Sequence, residues 1–154
     1  MRELIDSFDR KFSDLNSRSL ELIQNTGNEQ LYLRPKHDGL SMHPFSVGEF
    51  VVRSAAAVEQ MVGGITTRLW DDPFEWTLPE RLSRSEDVLN YLDEVESTRQ
   101  RGFAFFKSDD ELKRTLPAPV EIKSLQEILL ETLASAERLY GQASALHKLI
   151  GPKE

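Results

Sequence analysis

Apolar residues recur at three- and four-residue steps over four stretches of the chain, and each stretch predicts an amphipathic helix. From about Glu3 to Gln24, the positions Leu4, Ile5, Phe8, Phe12, Leu15, Leu22 and Ile23 form one stripe. From Ser46 onward, Phe50, Val51, Val58, Met61, Val62 and Ile65 make an apolar arc, and Gly63-Gly64 weakens its end. A third helix starts near Ser83 or Ser85 and buries Val88, Leu92, Val95, Phe103 and Phe106. The last runs from Ser124 to about Ile150, with Leu125, Ile128, Leu129, Ala136, Leu139, Ala143, Leu146 and Ile150 as its stripe. The seven prolines all lie outside these stretches, where a missing amide hydrogen breaks no helical ladder.

Local punctuation agrees with the periodicity. Ser46 with Glu49, Ser83 with Glu86, and Ser124 with Glu127 each have the spacing of a capping box. Asn25-Thr26-Gly27-Asn28 ends the first helix with turn chemistry, and Gly151-Pro152 stops the last. A loop of roughly twenty residues, Gly27 to Phe45, is long for a compact domain and contains a short extended piece at Leu31–Leu33. The crossover Thr66–Pro79 holds Trp70, Phe74 and Trp76, an aromatic cluster that reads as a plug over one end of the fold. Ser108–Lys123 reads as a polar link around Pro117-Ala-Pro119. Four amphipathic helices of ~20 residues predict an all-α protein, an antiparallel four-helix bundle with long connecting loops. Residues 1–154 form one domain in this reading.

Composition narrows the partners. Hydrophobic residues make up 39% and charged residues 29%, as in ordinary globular proteins. The formal net charge of −7 argues against nucleic acid, whose binding needs a basic face, and against an anionic membrane surface. The absence of cysteine removes disulfides, thiolate metal sites and thiol nucleophiles from this chain. The start, MRELIDSFDRKF, is charged throughout with no apolar signal core, and no run approaches the ~20 apolar residues of a membrane span. A cytoplasmic protein is expected.

Candidate chemistry is sparse. The three histidines, His37, His43 and His147, make no HxxxH or HExxH pair, so a metal site from them needs the long loop to fold over the end of the bundle. The bland reading has His147 packing beside Tyr140. Gly63-Gly64 ends a helix and cradles no phosphate. Asp71-Asp72 and Asp109-Asp110 have the look of caps or solvated surface.

Several short phrases resemble the DinB-like superfamily of helical proteins. They are Phe45-Ser46-Val47-Gly48-Glu49-Phe50 opening the second helix, the crossover Leu69-Trp70-Asp71-Asp72-Pro73, and Gln30-Leu31-Tyr32-Leu33-Arg34-Pro35 before them. Gly141-Gln142 and Leu149-Ile150-Gly151 in the last helix are similar to the family's ending. The resemblance spans nearly the whole chain through motifs that are each short. It implies an antiparallel four-helix bundle, often a homodimer, in which three histidines commonly hold a divalent metal. One such histidine lies eight residues after the aromatic that opens the second-helix motif. The other two lie on the last helix, three and seven residues before the Gln of Gly-Gln. Some members are transferases or isomerases that use a low-molecular-weight thiol.

Those positions hold Arg53, Leu139 and Ser135 in this chain. Arginine has no acceptor lone pair, leucine no donor atom, and a lone serine hydroxyl is a poor ligand for a divalent transition metal. The resemblance therefore implies a degenerate metal site with no bound cofactor. Two readings of Arg53 remain open at this point. In one it pairs with Glu49 at i,i+4 and Leu139 fills the former metal cavity as core. In the other it reaches a polar pocket with Thr132, Ser135 and Gln142, beside Leu139, and binds the carboxylate or phosphate of a small molecule. The expected function is small-molecule anion binding or a stress-associated accessory role. The alternative is a metal-dependent thiol transferase or hydrolase using Zn or Ni, with its ligands relocated to His37, His43 and His147.

Overall fold

The computed structural model describes residues 1–35 and 45–151. Among these the chain is mostly helical, an all-α fold with one short two-stranded sheet. Helix α1 (Glu3–Gln24) has the span its stripe predicts. Ile5, Phe12, Leu15, Leu22 and Ile23 are buried, but Leu4 is 54% exposed. One residue is ~100° of helix, enough to turn Leu4 away from the face that Ile5 buries. No side chain at Arg2 caps α1. Asp109, far along the chain, does so: its carboxylate accepts from the Leu4 and Ile5 amides, both at 3.0 Å.

The long loop begins with a helical turn, α2 (Asn28–Leu31), which replaces the extended piece expected at Leu31–Leu33. The Gln30 and Leu31 amides both donate to the Gly27 carbonyl, and this turn buries Leu31. Helix α3 (Val47–Thr67) starts at Ser46, whose hydroxyl accepts from the Glu49 amide at 3.1 Å. The Glu49 side chain does not complete the box; Arg34 takes it. Beyond the expected arc, α3 also buries Val47, Val52, Ser54 and Ala55, so it is covered on most of its surface. Gly63-Gly64 does not end it. The helix runs through both glycines to Thr67, and the left-handed residue that stops it is Arg68, with φ 61°.

Helix α4 (Ser85–Ala104) starts at the second of the two expected serines, with Arg84 rather than Ser83 at its cap position. The Asp87 carboxylate accepts from the Arg84 amide at 3.1 Å, while the Ser85 hydroxyl donates to the Thr26 carbonyl at 3.0 Å. The start of α4 is thus tied to the end of α1 rather than capped by Ser83. The polar link contains more structure than its composition suggests. It forms a 3₁₀ turn (Asp109–Lys113) and an antiparallel pair, β1 (Thr115–Pro117) and β2 (Ile122–Ser124), in which Leu116 faces Lys123. Three-residue strands are too short for alternation to show in a sequence. Helix α5 (Leu125–Ile150) starts and stops as expected, with the Ser124 hydroxyl accepting from the Glu127 amide at 3.1 Å and Gly151 following Ile150.

The four long helices pack as a cycle: α1 touches α4 and α5, and α3 touches α4 and α5. The most extensive pairing is α3 with α5. There Ser54 Oγ donates to the Ala136 carbonyl at 2.8 Å, satisfying a buried hydroxyl across the interface. Among the described residues the core contains one charged side chain, Arg99, which is 0% exposed. Its guanidinium pairs with Glu96 at 2.6 Å and Asp9 at 2.7 Å, over the rings of Phe103 and Phe12. Burial opposes its charge, but the two carboxylates outweigh that cost and raise its pKa. No helix among the described residues is long and apolar enough to cross a membrane.

Candidate functional site

A cleft of about 810 Å³ runs along α3. Its floor is the α3 face from Glu49 to Gln60, including Arg53, Ala56 and Ala57. Arg34 and Phe45 border the start of that face. One wall is α5 at Arg138, Leu139 and Gln142, and the other is the crossover at Asp72, Phe74, Leu78 and Pro79.

The crossover is fixed to the scaffold by bonds that sequence reading could not foresee. Gly64 is the seat for Trp70: a Cβ on Gly64 would lie 2.2 Å from the indole ring. That position takes glycine so that an aromatic ring can press on the helix backbone. Trp70 Nε1 then donates to the Pro117 carbonyl at 3.0 Å, and Gln60 Nε2 donates to the Trp70 carbonyl at 2.9 Å. Trp76 Nε1 donates to Glu59 at 3.2 Å, and the Tyr32 hydroxyl donates to the Leu82 carbonyl. Only Trp70 behaves as the expected plug. Phe74 is 52% and Trp76 48% exposed, so these rings stand at the cleft's edge and on the surface rather than in a lid over the core.

Arg53 is exposed and lines the cleft, and it does not pair with Glu49. Arg34 approaches Glu49 through two hydrogen bonds of 2.9 Å each, a bidentate pairing that occupies both carboxylate oxygens. With Glu49 occupied, the Arg53 guanidinium lies over the Phe45 ring, 4.4 Å from its centre. Neither Arg53 nor Arg138 has a carboxylate partner among the described residues. The cleft thus presents three arginines against two carboxylates, Glu49 and Asp72, in a chain whose net charge is −7.

Leu139 is half-buried and faces this open space, so it does not fill a former cavity as core. Gln142 lines the cleft with it. Thr132 and Ser135 are half-buried on α5 but are not among the lining residues. Leu146, on the same side of an ideal helix, is in the core.

The relocated-ligand alternative draws on residues that the structure does not bring together. His147 Nε2 is 3.1 Å from the Asn25 carbonyl and joins the end of α5 to the end of α1. His37 and His43 lie outside the described residues. Among the described residues, no group of three His, Asp or Glu side chains is arranged to hold a metal ion. The three positions to which the DinB-like resemblance points do not fit a metal either. The Arg53 guanidinium is stacked on Phe45, and neither it nor Leu139 has a donor lone pair.

Behind the crossover, the Tyr91 hydroxyl is buried beside the Glu59 carboxylate without a hydrogen bond of good geometry. Burial raises the Tyr91 pKa first, and the negative charges of Glu59, Glu94 and Asp72 raise it further. Burial likewise raises the Glu59 carboxyl, against the Tyr91 hydroxyl and Trp76 indole that favour its charged form. No protein-family model, curated protein or solved structure matches this chain.

Proposed function

We propose that this protein is a DinB-like antiparallel four-helix bundle whose degenerate metal site has become an anion-binding cleft. It would work in the cytoplasm as a homodimer and bind a small molecule bearing a carboxylate or phosphate. The observation that carries this reading is Arg53: an exposed guanidinium, free of carboxylates among the described residues, facing a cleft of about 810 Å³ beside Arg138. Phe45 holds that guanidinium in place without neutralising it, as an anion site needs. Arg34 is already matched by Glu49 and shapes the rim. Phe50, Ala56, Ala57 and Leu139 supply apolar walls for the body of an organic anion.

Titration with 4-phenylbutyrate, followed by tryptophan fluorescence and calorimetry, tests the reading. Binding should weaken by roughly 10- to 100-fold in Arg53→Met, since a charge-assisted hydrogen bond contributes ~1.5–3 kcal/mol. Saturable binding that is indifferent to both Arg53→Met and Arg138→Met would overturn it. So would one Zn or Ni per chain retained against chelation, which would return the protein to the metal-dependent class.

A further inference from the structure

The cleft sorts its charges by position along α3. At one end are Arg53 and Arg138, and Arg34 there is neutralised by Glu49. The Ser54–Ala136 bond fixes the level at which α3 and α5 meet. The Trp70–Pro117 bond places the segment after α3 against the strand before α5. The two helices therefore pass each other in opposite directions, and Arg138, two residues beyond Ala136, falls toward the Arg53 end.

At the other end the bond from Gln60 to the Trp70 carbonyl holds the crossover at the level of Gln60. Asp72, two residues further, is the carboxylate that lines the cleft there, and it makes no ion pair among the described residues. Glu59 and Glu94 lie behind it and, with Asp72, act on the Tyr91 hydroxyl, so the field at this end is negative. Arg53 and Gln60 are seven residues apart, ~10.5 Å at 1.5 Å per residue. The floor between them is small and apolar, at Ala56 and Ala57.

A simple anion fits only half of this arrangement. Its apolar body would cover Asp72 and strip water from a carboxylate that gains no partner, which costs affinity. A dianion would meet repulsion at the same place. An ammonium at Asp72 turns that cost into a favourable contact and discriminates against both. We propose that the cleft takes an extended zwitterion, a short apolar peptide or peptide-like molecule, with its carboxylate at Arg53 and Arg138 and its ammonium at Asp72. An extended tripeptide spans ~10 Å, which matches the separation of the two poles. This inference rests on the anion-binding reading of the cleft.

The test uses the full chain, with the tripeptide Ala-Leu-Ala and its N-acetylated form as probes in calorimetry. The free tripeptide should bind about 10-fold more tightly than the acetylated one, because only it carries the ammonium. Asp72→Asn should bring the two peptides to the same affinity, and Arg53→Met should weaken both. Thermal denaturation of each variant checks that it is folded. Equal affinity of the two peptides for the unaltered protein, with no effect of Asp72→Asn, would overturn the zwitterion while leaving the anion site intact. Failure of both peptides alongside binding of 4-phenylbutyrate would do the same. Failure of all three probes would sink the anion-binding reading and the zwitterion together.

Discussion

Replacing Arg99 by methionine should be among the most damaging single changes outside the backbone. The side chain is 0% exposed, and its removal leaves the Glu96 carboxylate, 12% exposed, without its charge partner. Asp9 is 41% exposed, so water can take over its share at ~0–1 kcal/mol. Most of the cost lies with Glu96, and breaking such a buried pair costs ~3–5 kcal/mol. Against a total stability of ~5–15 kcal/mol this is a large fraction. For a chain of this length each kcal/mol moves Tm by ~2–4 °C, so a fall of about 10 °C is expected. The companion variant Arg99→Met with Glu96→Leu should recover most of the loss, since apolar groups of similar volume replace buried ion pairs at little cost. Urea unfolding followed by far-UV circular dichroism measures both. A single-variant loss under ~1 kcal/mol, or no recovery in the double variant, would refute the assignment of Arg99 as a buried structural charge.

Gly64→Ala should cost ~1–3 kcal/mol, because the new Cβ would meet the Trp70 ring at 2.2 Å and force it off its seat. A red shift in tryptophan emission together with a lower Tm is the expected record. Arg68→Gly should raise stability by ~1 kcal/mol, since Arg68 holds φ 61° at the end of α3; an unchanged Tm would contradict that account of the helix stop. Asp109→Asn should destabilise the protein in a pH-dependent way. Desolvation is the largest single effect on Asp109 and opposes its charge, but the Leu4 and Ile5 amides, with the N-terminal ammonium and Arg2, together outweigh it, so its carboxyl sits below the usual range. A lowered folded pKa gives stability that is present above the unfolded value, about 4, and lost as pH falls through the folded one. The variant's deficit should be full at pH 7 and shrink on acidification below pH 4; a deficit that stays constant would argue against the cap.

The long helices were legible because their signals are local. Apolar spacing and the hydroxyls of Ser46 and Ser124 act within one or two turns, and α1 and α5 match their expected spans. What was not legible depends on partners far along the chain. Glu49 has a suitable cation four residues on, yet Arg34, fifteen residues before it, takes both carboxylate oxygens while Arg53 lies over Phe45. Gly64 reads as a helix breaker until Trp70 is placed on it. Asp109 looks like a solvated turn residue until the start of α1 arrives beside it. Arg99 falls on the stripe of α4, four residues from both Val95 and Phe103, but a charged residue type reads as solvent-facing until Glu96 and Asp9 are placed beside it. At the cleft, Arg53, Leu139 and Gln142 were within reach of sequence reasoning, since each lies on a helix with readable faces. Arg138 and Asp72 were not, because their roles depend on where α5 and the crossover pass α3.

The most direct test of the account is calorimetric titration of Arg53→Met/Arg138→Met with 4-phenylbutyrate, next to the unaltered protein. Both side chains are exposed and line the cleft, so the double variant should fold normally and keep its Tm. Saturable binding to the unaltered protein is expected, with a loss of at least about 10-fold in the variant, the effect of one charge-assisted hydrogen bond. Equal affinity for both proteins would contradict an anion site in this cleft.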